Sequence, residues 1–254
     1  MEKISVVINT YNAEKHLTKV LNSVKLFDEI LICDMESTDK TVSIANEYGC
    51  RIITFKKKQY NIVEPAREFA IHEAINPWVL VVDADEIVTK ELRLYLYDLV
   101  NNPNAPDGVK IPRKNYFMGK FMHCYYPDKI LRFFKKDITT WPPIIHAVPI
   151  VKGKVVEVPQ KRKDLAFIHL ANESVTEIIN KSNIYSDNQL DIKKKHYSSF
   201  SLLYRPIFFF IKTYFLKGGI KDGKIGFIRS YLDAINQSIF LTKKSEYELM
   251  KKQE

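Results

Sequence analysis

Cysteine is scarce in this chain, three residues in 254 (Cys33, Cys50 and Cys124), and no two form a CxxC pair. A disulfide framework and a cysteine-ligated zinc site are therefore excluded, and so few thiols suit a reducing cytoplasm. Eight glycines and 11 prolines are too few for a collagen-like or low-complexity chain. The 46% hydrophobic content excludes disorder. Long apolar runs are missing too. The opening MEKISVVINTYN has an apolar run of only about five residues, too short for a signal peptide. Neither GxGxxG after the first apolar run nor GxxxxGK[ST] anywhere is present, so the usual backbone cradles for phosphate are absent. These absences leave a globular, cytoplasmic protein, long enough for one large domain or two small ones.

Charge is unevenly spread. The net charge is +9, and residues 1–160 carry 22 basic against 20 acidic side chains while residues 161–254 carry 17 against 10. A basic C-terminal third suits an anionic membrane or another polyanion. Nucleic acid is excluded as a partner, because no recognised nucleic-acid module or recognition helix is present.

The first 100 residues alternate short apolar runs with amphipathic stretches. Ile4–Ile8, Glu29–Cys33, Arg51–Phe55 and Trp78–Val82 read as strands. Between the first two, Leu17, Val20, Leu21 and Val24 recur at i, i+3, i+4, i+7, the spacing of one helix face. Ser37 or Asp39 can cap the next helix and Gly49 can close it; Pro65 fits the first turn of a third. Strand–helix alternation predicts an α/β fold: an open, mostly parallel sheet with helices on both faces. Ligands bind such sheets beyond the carboxyl ends of the strands, where Thr10–Tyr11, Asp34 and Asp83–Asp85 fall. Further strands are expected at Val109–Arg113 and Lys129–Phe134, and helices from about residue 172. The expected domains are 1–170, catalytic, and 171–254, helical, basic and capable of membrane association.

Asp83-Ala84-Asp85-Glu86 follows the most apolar strand. If the segment is extended, Asp83 and Asp85 project to one side and Ala84 to the other. Such carboxylates suit Mg2+ or Mn2+ bridging to a diphosphate. The plain structural alternative is a solvated turn that caps the next helix.

Four stretches, in order, resemble family 2 glycosyltransferases of the GT-A fold: ISVVINTYN at 4–12, CDMESTDKT at 33–41, PAR at 65–67 and WVLVVDADE at 78–86. RKNYFMG at 113–119, YPD at 126–128, LRFF at 131–134 and the glycine-containing tail at 214–227 are similar to the lipopolysaccharide core β-1,4-glucosyltransferase subgroup. The resemblance implies an inverting, metal-dependent hexosyl transferase, glucosyl-transferring by analogy. Its donor would be a nucleotide-sugar, UDP-linked by preference. Its acceptor would be lipid-linked or a polysaccharide, in lipopolysaccharide, glycolipid or cell-surface polysaccharide synthesis.

Carried onto this chain, the resemblance has Thr10, Tyr11, Asp34, Arg67 and Asp83 hold the nucleotide-sugar. Asp85 and His146 would ligate a divalent cation, Mg2+ or Mn2+. The catalytic base would be Asp128, ranked first, or Glu86. The plain alternative for Tyr11 is ordinary packing, and for Arg67 a helix-surface ion pair. Asp128 could instead sit in a turn, paired with Lys129 or Arg132. One departure is clear: Ala147 stands where the subgroup has Glu after its histidine. That departure supports an alternative, a catalytically impaired GT-A-fold binding protein on anionic membranes. The aromatic stretch Ser201–Leu216, broken by Arg205, Pro206 and Lys212, is too short to span about 30 Å of hydrocarbon. It can lie in an interface, with Lys212, Lys217, Lys221 and Lys224 on anionic lipid at the inner face of the cytoplasmic membrane.

Overall fold

The computed structural model describes residues 2–57, 62–144, 147–170, 174–190 and 196–251. The chain divides into two compact units, residues 1–114 with 127–170, and residues 115–126 with 171–254. The short segment 115–126 thus belongs with the C-terminal helices.

Unit one begins with β1 (Ile4–Thr10), α1 (Glu14–Val24), β2 (Glu29–Asp34), α2 (Thr41–Glu47), β3 (Arg51–Thr54), α3 (Glu64–Glu73) and β4 (Trp78–Asp83). Then come β5 (Glu86–Val88), α4 (Lys90–Val100) and β6 (Gly108–Phe117), whose last three residues lie in unit two. After β7 (Lys120–Phe121) in unit two, unit one resumes with β8 (Asp128–Lys135), β9 (Thr139–Thr140), β10 (Ile150–Val151), β11 (Val155–Glu157) and β12 (Phe167–His169). The main sheet has the order β3-β2-β1-β4-β8-β6-β12-β5, with β11 also beside β6. Strands β3, β2, β1 and β4 are mutually parallel; β8 is antiparallel to both β4 and β6, and β12 to β5.

The parallel strands are nearly continuous apolar runs because helices cover both faces. Alternate residues divide between two cores. Ile4, Val6 and Ile8 of β1 join Trp78, Leu80 and Val82 of β4 under α1 and α4. Val7, Val79 and Val81 face the other way, against Ala66, Ala70 and Ile71 of α3. The predicted α1 face, Leu17, Val20, Leu21 and Val24, is wholly buried. The N-cap of α2 is Lys40 rather than Ser37 or Asp39, yet the Asp39 carboxylate, one residue earlier, accepts from the Thr41 amide at 2.9 Å and from the Glu14 amide at 3.1 Å. It therefore satisfies orphan donors at the starts of both α2 and α1.

Unit two contains α5 (Val175–Gln189), α6 (Ser199–Ile211), a single π-helical turn at Lys212–Leu216, and α7 (Gly223–Met250). Its core gathers Phe117, Met122, Cys124, Ile178 and Leu232. Asp222, fully buried before α7, accepts from the His123 amide at 2.9 Å and pairs with the His123 ring at 2.6 Å. No helix among the described residues is long and apolar enough to cross a membrane. The outer stripe of α6 is nonetheless apolar: Phe200, Leu203, Ile207 and Ile211 are all exposed, Phe200 and Leu203 to 68%.

Candidate active site

The parallel register brings Thr10 level with Asp34, and Asn9 level with Asp83, so the three strand ends meet as the sequence predicts. Asp34 is buried and fully engaged. Its carboxylate accepts from the Thr10 hydroxyl at 2.9 Å, and from the Ser37 amide and hydroxyl at 2.9 and 2.6 Å. These bonds fold the loop after β2 back toward β1. The Asn12 side-chain Oδ1 then accepts from the Thr38 amide at 2.8 Å, with Asn12 and Glu36 in left-handed conformations (φ 48° and 64°). Tyr11 is half exposed, and the Lys57 ammonium lies 3.7 Å from its ring centroid. Core packing therefore does not account for Tyr11.

The Asp83–Glu86 segment differs from the extended expectation. Asp83 ends β4, Ala84 and Asp85 form a turn, and Glu86 begins β5. The two-residue spacing consequently does not set a common face, and the two aspartates have different partners. Asp83 is clamped between Arg67 and Arg132, the second at 2.9 Å. Both guanidiniums lie over Trp141, 5.0 and 5.1 Å from its ring centroid, within the range of a cation–π contact. Burial opposes ionisation of Asp83, yet Arg132, Arg67 and Arg113 together hold its carboxyl well below the usual range. Arg67 is thus a partly buried partner of Asp83, not a helix-surface ion pair.

Asp85 turns to His169, at the end of β12, with 3.6 Å between carboxylate oxygen and imidazole Nε2. Antiparallel pairing of His169 with Glu86 creates this approach, and the Leu170 amide donates to the Asp85 carbonyl at 2.8 Å. His146 lies outside the described residues. Neighbouring Ala147 packs against the apolar cluster beneath α3.

Glu86 is completely buried. Burial first, and then the Asp83 charge, push its carboxyl up to about 7, against the opposing pull of Arg132 and Arg113. It accepts from the Asp83 amide at 3.0 Å and from Arg113 Nη1 at 3.3 Å. The same Arg113 donates twice to Asp128, at 2.8 and 2.6 Å. Arg113, on β6, thereby joins both carboxylates considered as the base, and Asp128 opens β8 rather than sitting in a turn.

Sequence reasoning missed Arg113, Arg132, Trp141 and His169 as site members. Arg113 and Arg132 lie within motifs already noted, and Trp141-Pro-Pro reads only as a turn. His169 follows a short apolar run far along the chain from Asp85, and only strand pairing reveals its place. Among the described residues, no group of three His, Cys, Asp or Glu side chains is assembled to hold a metal ion. Asp85 with His169 offers one oxygen and one nitrogen donor, a pair that fits Mn2+ or Mg2+ completed by diphosphate oxygens. Asp83 does not fit as a ligand while two guanidiniums occupy its oxygens.

The model of the glycosyl transferase family 2 matches residues 5–149, more than half of the chain, including the ends of β1, β2 and β4 but not His169. The chain belongs to glycosyl transferase family 2. This family 2 enzyme is 30% identical to an uncharacterized glycosyltransferase of Rickettsia typhi, over 98% of this chain and 89% of the relative. It is 26% identical to the lipopolysaccharide core biosynthesis glycosyltransferase LpsC of Rhizobium meliloti, over 91% of this chain and 88% of LpsC. Among solved structures, the fold is similar to the mannosyltransferase PcManGT of Pyrobaculum calidifontis, determined with GDP-Man and Mn2+. The TM-score is 0.58 at 11% identity, covering 95% of this chain and 86% of that one. This agrees with the expected GT-A architecture.

Proposed function

We propose that this family 2 glycosyltransferase transfers a hexosyl group, of glucosyl type, from a nucleotide-diphosphate sugar with inversion at the anomeric carbon. UDP is the preferred nucleotide. The acceptor is a lipid-linked saccharide or polysaccharide of lipopolysaccharide, glycolipid or cell-surface polysaccharide synthesis. The observation that carries the reading is the clustering of Asp85 with His169, and of Arg67, Arg132 and Asp83, at the carboxyl ends of β4 and its neighbours.

Tyr11 offers its exposed ring to the base, while Thr10 and Asp34 hold the loop that borders the ribose. Arg67 and Arg132 keep Nε donors with no hydrogen-bond partner among the described residues, and Arg132 keeps Nη1 as well. Such buried donors favour an anionic acceptor, and a diphosphate supplies one. Asp85 and His169 would hold a divalent cation, which when bound neutralises charge on the departing diphosphate. Asp128, about one-third exposed, takes the proton of the attacking acceptor hydroxyl. Glu86, sealed from solvent, positions Arg113 and through it Asp128. The similarity to LpsC supports the lipopolysaccharide setting, and the absence of phosphate-binding glycine loops agrees with neutralisation by arginine and metal.

The exposed apolar stripe of α6, with Lys212, Lys217, Lys221 and Lys224 following it, supports peripheral attachment to the anionic inner face of the cytoplasmic membrane. Exchanging Asp85 for Ala and measuring sugar release from UDP-glucose with Mn2+ tests the catalytic reading. A loss of at least 100-fold with an unchanged melting temperature is expected. Undiminished turnover would sink it, and a wild-type chain that binds nucleotide without ever releasing sugar would favour the impaired binding protein that Ala147 suggests.

A further inference from the structure

Unit two carries a cavity of its own. About 350 Å3 opens among α5, α7 and the π-helical turn after α6, within the span of roughly 300–1,000 Å3 usual for small-molecule sites. A π turn is itself uncommon and recurs at functional positions.

Three cations, Lys212, Lys217 and Arg229, line the cavity against one carboxylate, Asp233. That carboxylate is already engaged from three sides. It accepts from the Tyr125 hydroxyl, accepts from the Thr213 hydroxyl at 3.0 Å, and pairs with Arg229 Nη2 at 3.3 Å. The Arg229 guanidinium lies 4.8 Å from the Tyr125 ring centroid, which fixes its plane. Its Nη1 remains buried with no hydrogen-bond partner among the described residues, and so does the Asn236 Oδ1. A buried donor and a buried acceptor left unmatched are each costly to the fold. One ligand that presents both an anionic oxygen and a hydroxyl would match both.

The rest of the wall fits the same chemistry. Ser182, Gln189 and Gln237 present hydroxyl and amide groups, and Phe209 presents a ring face. Flat aromatic faces suit the C–H face of a sugar or cyclitol, and the two lysines left over after Asp233 neutralises Arg229 suit a phosphate. We propose that this cavity binds a phosphorylated polyol about one sugar ring in size, separately from the donor chemistry at β1, β2 and β4. Its source is either a soluble sugar phosphate or the head group of a phospholipid.

Calorimetric titration of the full chain with glucose 1-phosphate tests the soluble source. Flotation with phosphatidylcholine vesicles, with and without phosphatidylinositol, tests the lipid source. Both are repeated with Asn236→Leu, Lys212→Gln and, as a control on the other unit, Asp83→Asn. Asn236→Leu removes an unmatched buried acceptor without changing charge, so it is expected to fold at least as well as the parent. Lys212→Gln is a partly exposed change that keeps the test open should it not.

Binding in at least one arm is expected, weakened tenfold or more by each cavity substitution and unchanged in Asp83→Asn. Glucose 1-phosphate binding assigns the soluble source. Phosphatidylinositol-dependent flotation alone, lost with Asn236→Leu, assigns the head group. No binding in either arm, binding that survives the cavity substitutions, or binding lost in Asp83→Asn would overturn the proposal. None of these outcomes depends on sugar transfer, so the catalytic reading stands or falls separately.

Discussion

Replacing Arg113 with Met removes the guanidinium that holds Glu86 and Asp128 together, and the effect should depend on pH in a defined direction. Glu86 has its folded carboxyl raised to about 7 from an ordinary value of 4.5. A raised carboxyl stabilises the fold fully below its unfolded value and loses that contribution as pH climbs through the folded one. In the wild type, stability from this group therefore declines between about pH 4.5 and 7. Arg113 pulls the Glu86 carboxyl down, so its loss moves the folded value higher still. Below pH 6 Glu86 is protonated in both proteins. The variant there loses chiefly the partly exposed Asp128 pair, about 1 kcal/mol. Above pH 7 the gap widens by about 1.4 kcal/mol for each unit by which the variant exceeds the parent. The limit is the roughly 3–5 kcal/mol typical of stranding a buried charge. Urea denaturation of both proteins at pH 5.5 and pH 8.5 measures the gap directly. A destabilisation equal at the two pH values would refute the placement of Arg113 as the counter-charge of buried Glu86. A larger gap at pH 5.5 would do so more strongly.

Two other outcomes are expected. Asp34→Ala strands the Thr10 hydroxyl and the Ser37 amide, and chemical denaturation should register a loss of about 2–4 kcal/mol. A cost below 1 kcal/mol would mean the loop after β2 is held by other contacts. On α6, the paired change Leu203→Glu with Ile207→Glu removes two exposed apolar anchors worth about 1.5–3 kcal/mol each if buried in lipid. Partitioning onto anionic vesicles should fall at least tenfold, and binding of the unaltered chain should weaken as salt rises. Partitioning indifferent to both would assign the stripe another role.

The strand–helix alternation of the first 100 residues, the buried α1 face and the meeting of Thr10, Asp34 and Asp83 at one sheet edge were legible in the sequence. Each rests on a local period or on the rule that parallel strands align their carboxyl ends. The four ordered motifs likewise carried the family, because they are contiguous and keep their spacing. Partner choice was not legible. Nothing in Asp83-Ala84-Asp85 announces a turn that sends one carboxylate to two arginines and the other to a histidine on a distant strand. That division follows from β8 lying against β4 and from β12 pairing with β5, contacts between segments far apart in the chain. Nor does any local pattern put Arg113 between Glu86 and Asp128. Periodicity reports which face a residue occupies, and only the packed sheet decides which charge it meets there.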